Sequence, residues 1–187
     1  MAQPTRTKRW IGFAVALIAV ALCGWTATNW KRFRPYDWKQ VESPDAQFRI
    51  SFPGNPTASQ ESSTASEDGS KFVSNKLLSS PAHGVIYALD WWENPTQKGK
   101  STDELFANFR DCNIKVFHGN IVSENEVNVQ GYPAKDTEVL APNGLVVENR
   151  VIRVGPRLYS VWVLDSTGHR DRGNIQKFFG SLSFHRT

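Results

Sequence analysis

Val85-Ile86-Tyr87-Ala88-Leu89-Asp90-Trp91-Trp92 is the stretch that decides the fold class. Its first five residues are apolar without alternation. A half-buried strand alternates with period two, whereas a strand apolar on both sides belongs to the covered centre of a sheet. Tyr159-Ser160-Val161-Trp162-Val163-Leu164 has the same character. Two such strands predict a sheet with a layer on each face. Neighbours on a strand point to opposite faces, so Trp91 and Trp92 send one indole to each layer. The plain expectation is that both fill the core. The sharper one makes Trp91 or Trp92 an anchor for a binding partner, since tryptophan is enriched in binding hot spots.

Further strand signals occupy residues 71–78, 121–129, 134–140, 145–154 and 158–165. Pro142-Asn143-Gly144 separates two of them, and Asn-Gly is a strong hairpin signal. Ahead of these, Phe48, Ile50 and Phe52 alternate with Arg49 and Ser51, a half-buried strand that Pro53-Gly54-Asn55-Pro56 stops. Residues 57–70 are polar and rich in Ser, Thr and Glu, which predicts a mobile loop or a weak edge strand. One helix opens at Ser101 with Glu104 three residues on, a capping box. Leu105, Phe109 and Cys112 follow at helical spacing, with Phe106 beside them, so Cys112 is expected to be a small buried hydrophobe. A second helix over 171–180 carries Ile175, Phe178 and Phe179, and a short strand over 182–184 ends the chain. The expected architecture is α+β, an antiparallel β-sheet flanked by helices.

In order and spacing these features resemble bacterial PsbP-like domains. Gln47-Phe48-Arg49-Ile50-Ser51-Phe52-Pro53-Gly54-Asn55-Pro56 is similar to their opening strand and Phe-Pro-Gly-x-Pro. Gly131-Tyr132-Pro133-Ala134 is similar to their mid-chain hairpin, and Arg157-Leu158-Tyr159 with Phe178-Phe179-Gly180-Ser181-Leu182 to their closing strand and helix. The resemblance spans about residues 46–185 and implies an α/β/α sandwich. That fold is shared with the extrinsic photosystem II subunit and the Ran-binding protein Mog, which implies partner binding rather than catalysis. No binding residue of those relatives has a counterpart in this chain, and fold likeness by itself does not assign function.

The N-terminus sets the location. No charged residue falls between Trp10 and Trp30, 21 positions. As a helix at ~1.5 Å per residue these span about 31 Å, enough for a hydrocarbon core of about 30 Å. Trp10 marks one end and Trp25 and Trp30 the other, where indoles meet headgroups. The expected organisation is a basic tail (1–9), a transmembrane anchor or signal segment (10–30), a juxtamembrane linker (31–45) and a globular domain (46–187). As a single-pass anchor, residues 10–30 contact the lipid bilayer, with the N-terminus cytoplasmic and the domain outside. The alternative is a signal peptide cleaved near Ala19-Val20-Ala21, leaving a secreted or periplasmic domain. Leu22 before Cys23 is too bulky for lipoprotein processing.

Charge and motifs exclude more than they assign. The chain carries 22 basic and 18 acidic residues. Six of the basic ones (Arg6, Lys8, Arg9, Lys31, Arg32 and Arg34) flank the apolar segment, leaving 16 against 18 and a net −2 beyond it. Nucleic-acid binding requires a basic face, and none is present. Cys23 and Cys112 make no disulfide framework or Cys metal site. His83, His118, His169 and His185 are isolated. No Gly-x-Ser-x-Gly, Walker loop or dinucleotide turn occurs. No catalytic residue, cofactor or metal is expected. The resulting functional expectation is a membrane-anchored, extracytoplasmic, non-enzymatic domain that binds a protein or envelope partner. Two alternatives stand beside it. The aromatic strands suggest a domain for a small apolar ligand. An enzyme with sequence-dispersed residues requires a pocket with two ionisable groups.

Overall fold

The computed structural model describes residues 35–59, 74–93 and 99–185. The expected basic tail and membrane segment (1–9 and 10–30) lie outside the described residues. Among the described residues, no helix is long and apolar enough to cross a membrane. The elements are β1 (Trp38–Ser43), β2 (Phe48–Pro53), β3 (Thr57–Ser59), β4 (Ser74–Ala82), β5 (Val85–Glu93), α1 (Thr102–Phe117), β6 (Asn120–Val129), β7 (Tyr132–Leu140), β8 (Val146–Val154), β9 (Arg157–Asp165), α2 (Arg172–Ser181) and β10 (Ser183–Phe184).

Seven strands form one antiparallel sheet in the order β3-β4-β5-β9-β8-β7-β6. The two strands read as apolar on both sides, β5 and β9, are interior neighbours, with Trp91 opposite Tyr159 and Trp92 opposite Leu158. A second sheet, β1-β2-β10, lies on one face together with α2. Between them sits the main core, in which Phe48, Ile50, Phe52, Tyr87, Leu89, Tyr159 and Phe178 are fully buried. Burial of each such side chain contributes about 1.5–3 kcal/mol. Tyr159 fixes this cover to the sheet by donating its hydroxyl to the Ala46 carbonyl at 2.6 Å. On the opposite face α1 packs over a smaller cluster of Trp92, Leu105, Phe106, Val151 and Leu158.

Local chemistry accounts for most of the boundaries. At α1 the capping box closes as expected: the Glu104 amide donates to Ser101 Oγ at 3.2 Å, and the Ser101 amide donates to Glu104 Oε2 at 2.7 Å. The Asn143-Gly144 signal is the β7–β8 turn, where the Gly144 amide donates to the Ala141 carbonyl at 3.0 Å. Gly119 carries α1 into β6. A Cβ there would collide with Val139 Cγ1 and lie 2.8 Å from the Leu140 carbonyl oxygen, so only glycine permits the approach.

Three stretches differ from expectation. Residues 38–43, expected within a linker, form β1, because Val41 pairs opposite Ile50 and packs with Trp38 against the main core. From residues 57–70 a short edge strand, β3, forms over Thr57–Ser59; residues 60–73 lie outside the described residues. Cys112 is exposed rather than buried. The buried side chains of α1 include Leu105, Phe106 and Asn113, so the covered stripe is centred one residue around the helix from the line through Cys112.

Candidate functional site

The two indoles singled out by the sequence go to separate cores. Trp91 is 7 % exposed and meets Phe48 edge-on, ring centres 4.8 Å apart. Trp92, 6 % exposed, lies beneath α1 with its ring 4.8 Å from Phe109. Neither presents a surface for a partner in this arrangement.

Chemistry gathers instead where α2 stops short of covering the sheet. The main core reaches over Ala134, Ile152 and Val127 on the same face of β7, β8 and β6, and the stretch of these strands beside α2 is left open. The cleft has a volume of about 400 Å³, bounded by Ser123 and Asn125 of β6, Asp136 and Glu138 of β7, Glu148 and Arg150 of β8, and α2 residues that include Arg172, Gln176 and Phe179.

Register places these charges together. Glu138 sits directly opposite Glu148, and Asp136 opposite Arg150. Arg150 grips Asp136 with both arms, Nε to Oδ1 at 2.6 Å and a terminal nitrogen to Oδ2 at 2.7 Å. Such a fork matches carboxylate geometry. The same guanidinium lies over the Phe179 ring, 4.9 Å from its centre. Glu138 is nearly buried and takes Arg170 at 2.9 Å and Arg172 at 3.5 Å. Like charges directly opposite on a sheet are destabilising, and these two arginines offset the repulsion from one side. Glu148 has no ion pair or hydrogen bond of its own among the described residues. Burial pushes its pKa up, Arg172 and Arg170 pull it back, and Glu138 and Asp136 push it further up.

Arg170 is held in place by the neighbouring turn. Asp165, at the end of β9, accepts from the Thr167 hydroxyl at 2.6 Å, the Thr167 amide at 2.7 Å and the Arg170 amide at 3.0 Å. Burial alone raises the Asp165 pKa, but these bonds and one from the Gly168 amide outweigh it and hold the carboxyl low.

Sequence inspection passed over Glu138 and Glu148, although a signal existed. A hairpin centred on Asn143 pairs residues equidistant from it, bringing Glu138 to Glu148 and Asp136 to Arg150. Glu124 of β6 belongs elsewhere, with Arg110 at 3.8 Å and Lys135 at 3.7 Å. Among the described residues, no group of three or more His, Cys, Asp or Glu could hold a metal ion.

A second surface lies at the sheet's edge. β6 pairs only with β7, so one side of a ten-residue strand carries free backbone groups among the described residues. Val116 of α1, Ile121 and Val122 of β6, and Leu140 of β7 are 61, 39, 51 and 41 % exposed. Four of the five large apolar side chains that are exposed among the described residues thus belong to α1, β6 and β7; the fifth, Ile86, is on β5.

No family model matches the sequence, and neither does any curated protein. Among solved structures the chain is similar to cyanobacterial PsbP (CyanoP) of Synechocystis sp. PCC 6803, at 9 % identity and a TM-score of 0.56, over 82 % of this chain and 95 % of that one. It also aligns with PA94, a protein of unknown function from Pseudomonas aeruginosa, at 11 % identity and a TM-score of 0.48, over 80 % and 99 % of the two chains. The first likeness shows a PsbP-like fold, as the sequence motifs implied.

Proposed function

We propose that this chain is a non-enzymatic binding domain, anchored outside the cytoplasm by residues 10–30, that engages a protein partner along β6. The observation carrying the reading is the open β6 edge with Val116, Ile121, Val122 and Leu140 exposed around it. Exposed strand edges accept an additional strand, and exposed apolar side chains concentrated in one place mark interaction surfaces. The occupant is an extended segment of a different protein. Two β6 strands paired antiparallel about Asn125 set Glu124 opposite Glu126 of the other copy, a like-charge clash. A segment with lysine or arginine at those positions meets no such penalty.

Location follows from the uncharged stretch 10–30 and its basic flanks. In this reading the domain is anchored; cleavage near Ala19-Val20-Ala21 gives a released domain with the same surface. Protease treatment of intact cells tests the orientation, and a C-terminal tag that stays fully protected would overturn it.

Partner binding is tested by placing a photo-crosslinking amino acid at Val122 of the full-length protein in intact cells, with Asn108, exposed on α1, as the control position. A defined adduct from position 122 and none from 108, lost when Ile121 is changed to Lys, is the expected result. Identical adducts from both positions, or none from either, would sink the reading. The cleft walls are charged rather than apolar, so the cleft lends nothing to an apolar-ligand alternative.

A further inference from the structure

We propose that the cleft beside α2 binds a small organic cation, a guanidinium or primary ammonium group anchored on Glu148. This inference is independent of the β6 reading, since it concerns a different face of the chain.

The argument is an inventory of charge. Among the described residues the charged side chains lining the cleft are Asp136 and Glu138 of β7, Glu148 and Arg150 of β8, and Arg172 of α2, with Arg170 reaching Glu138 from the turn before α2. Arg150 is committed to Asp136 by two short bonds and backed by the Phe179 ring. Glu138 is committed to Arg170 and Arg172. Among the described residues Glu148 has no ion pair or hydrogen bond of its own, only the longer-range pull of Arg172 and Arg170, though its side chain is partly withdrawn from water. Polar groups taken out of water are stabilised only when a hydrogen-bond partner replaces it. A cationic N–H donor supplies that partner as a charge-assisted bond. An anion meets the opposite situation, with two guanidiniums already engaged at short range and an unpaired carboxylate in its path. Ser123, Asn125 and Gln176 line the same space and offer neutral donors and acceptors around the charge. A volume of about 400 Å³ falls in the range of small-molecule sites, roughly 300–1,000 Å³.

A bound cation and a proton compete for the same carboxylate. Acidification through the raised Glu148 pKa therefore weakens binding.

The test uses the full-length protein in detergent micelles with labelled isoleucine methyl groups, titrated with propylguanidinium and with the neutral analogue propylurea. Ile175 lines the cleft, while Ile50 and Ile152 are fully buried in the main core and report the fold. A saturable shift of the Ile175 methyl with propylguanidinium, with Ile50 and Ile152 unmoved and no saturable response to propylurea, is expected. Glu148→Gln weakens the affinity by roughly tenfold or more, the size of a lost charge-assisted bond. Should that variant misfold, as Ile50 and Ile152 would reveal, the pH dependence of wild-type affinity decides. Weakening on acidification supports the site. Equal response to both probes, unchanged affinity in folded Glu148→Gln, or affinity that strengthens on acidification overturns it.

Discussion

The two faces of the seven-stranded sheet are covered by different means. Beneath the small sheet and α2 the contacts are aromatic: Phe178 lies 5.2 Å from both Tyr87 and Phe52, and Phe184 lies 4.7 Å from Tyr159. Beneath α1 the apolar cluster is small and gives way to a polar ladder. There Asn113 donates to Asn149 at 3.2 Å, and Asn149 donates to Ser160 at 2.7 Å and to the Val161 carbonyl at 3.1 Å. One cover is thick but incomplete, ending in the charged cleft. The other is held in register by amides that tolerate little displacement. Sealing a sheet and aligning a helix on it are therefore separate tasks in this molecule.

The largest test of the contrast is Phe178→Ala. Removing a fully buried ring costs about 3–5 kcal/mol, and denaturant unfolding of the full-length protein reads it directly. Phe109→Ala under α1 should cost clearly less, since Phe109 is only partly buried; equal losses would erase the distinction between thick and thin cover. Next in size is Asn149→Ala, which strands the Asn113 amide and Ser160 hydroxyl and costs about 1–3 kcal/mol. A loss below the detection limit would mean that the ladder contributes nothing to α1 placement. Ser101→Ala removes one half of the capping box and costs about 1 kcal/mol, visible as a lower unfolding midpoint with fraying at the start of α1.

The smallest effects are in the pH profile. Asp165 has a folded pKa below the ordinary carboxylate range, so its stabilisation is present above about pH 4 and lost as pH falls through the folded value. Glu148 has the opposite sign. Its folded pKa is raised, so its contribution is complete below about pH 4 and lost as pH climbs through the folded value. Asp165→Asn should thus flatten the acid limb and Glu148→Gln the limb above it. Stability curves in which both variants flatten the same limb would show that one of these assignments is wrong.

The apolar scaffold was readable in the chain because its signals are local. Alternation in Phe48, Ile50 and Phe52, unbroken apolarity in β5 and β9, and Ser101 with Glu104 each reflect a single element. β1 escaped notice because Lys39, Gln40 and Glu42 dilute its pattern, and it is defined by its pairing with β2. Asn113 concealed the centre of the α1 stripe, since an amide stands where an apolar residue was expected and its partner lies 36 residues away. The cleft escaped for a similar reason. Its charges are unremarkable singly, and only the β7–β8 register turns Glu138 and Glu148 into a facing pair. Trp91 and Trp92 drew attention by being adjacent, yet adjacency on a strand sends them apart.

The pairing of β10 with β2 has a consequence for biosynthesis. Ser51 donates its amide to Ser181 across 130 residues of sequence, and the amide of His185 donates to the Gln47 carbonyl. The apolar face of β2 therefore has no complete cover until α2 and β10 have left the ribosome. Long-range closure of this kind is slow, because the intervening loop entropy must be overcome before the contact forms.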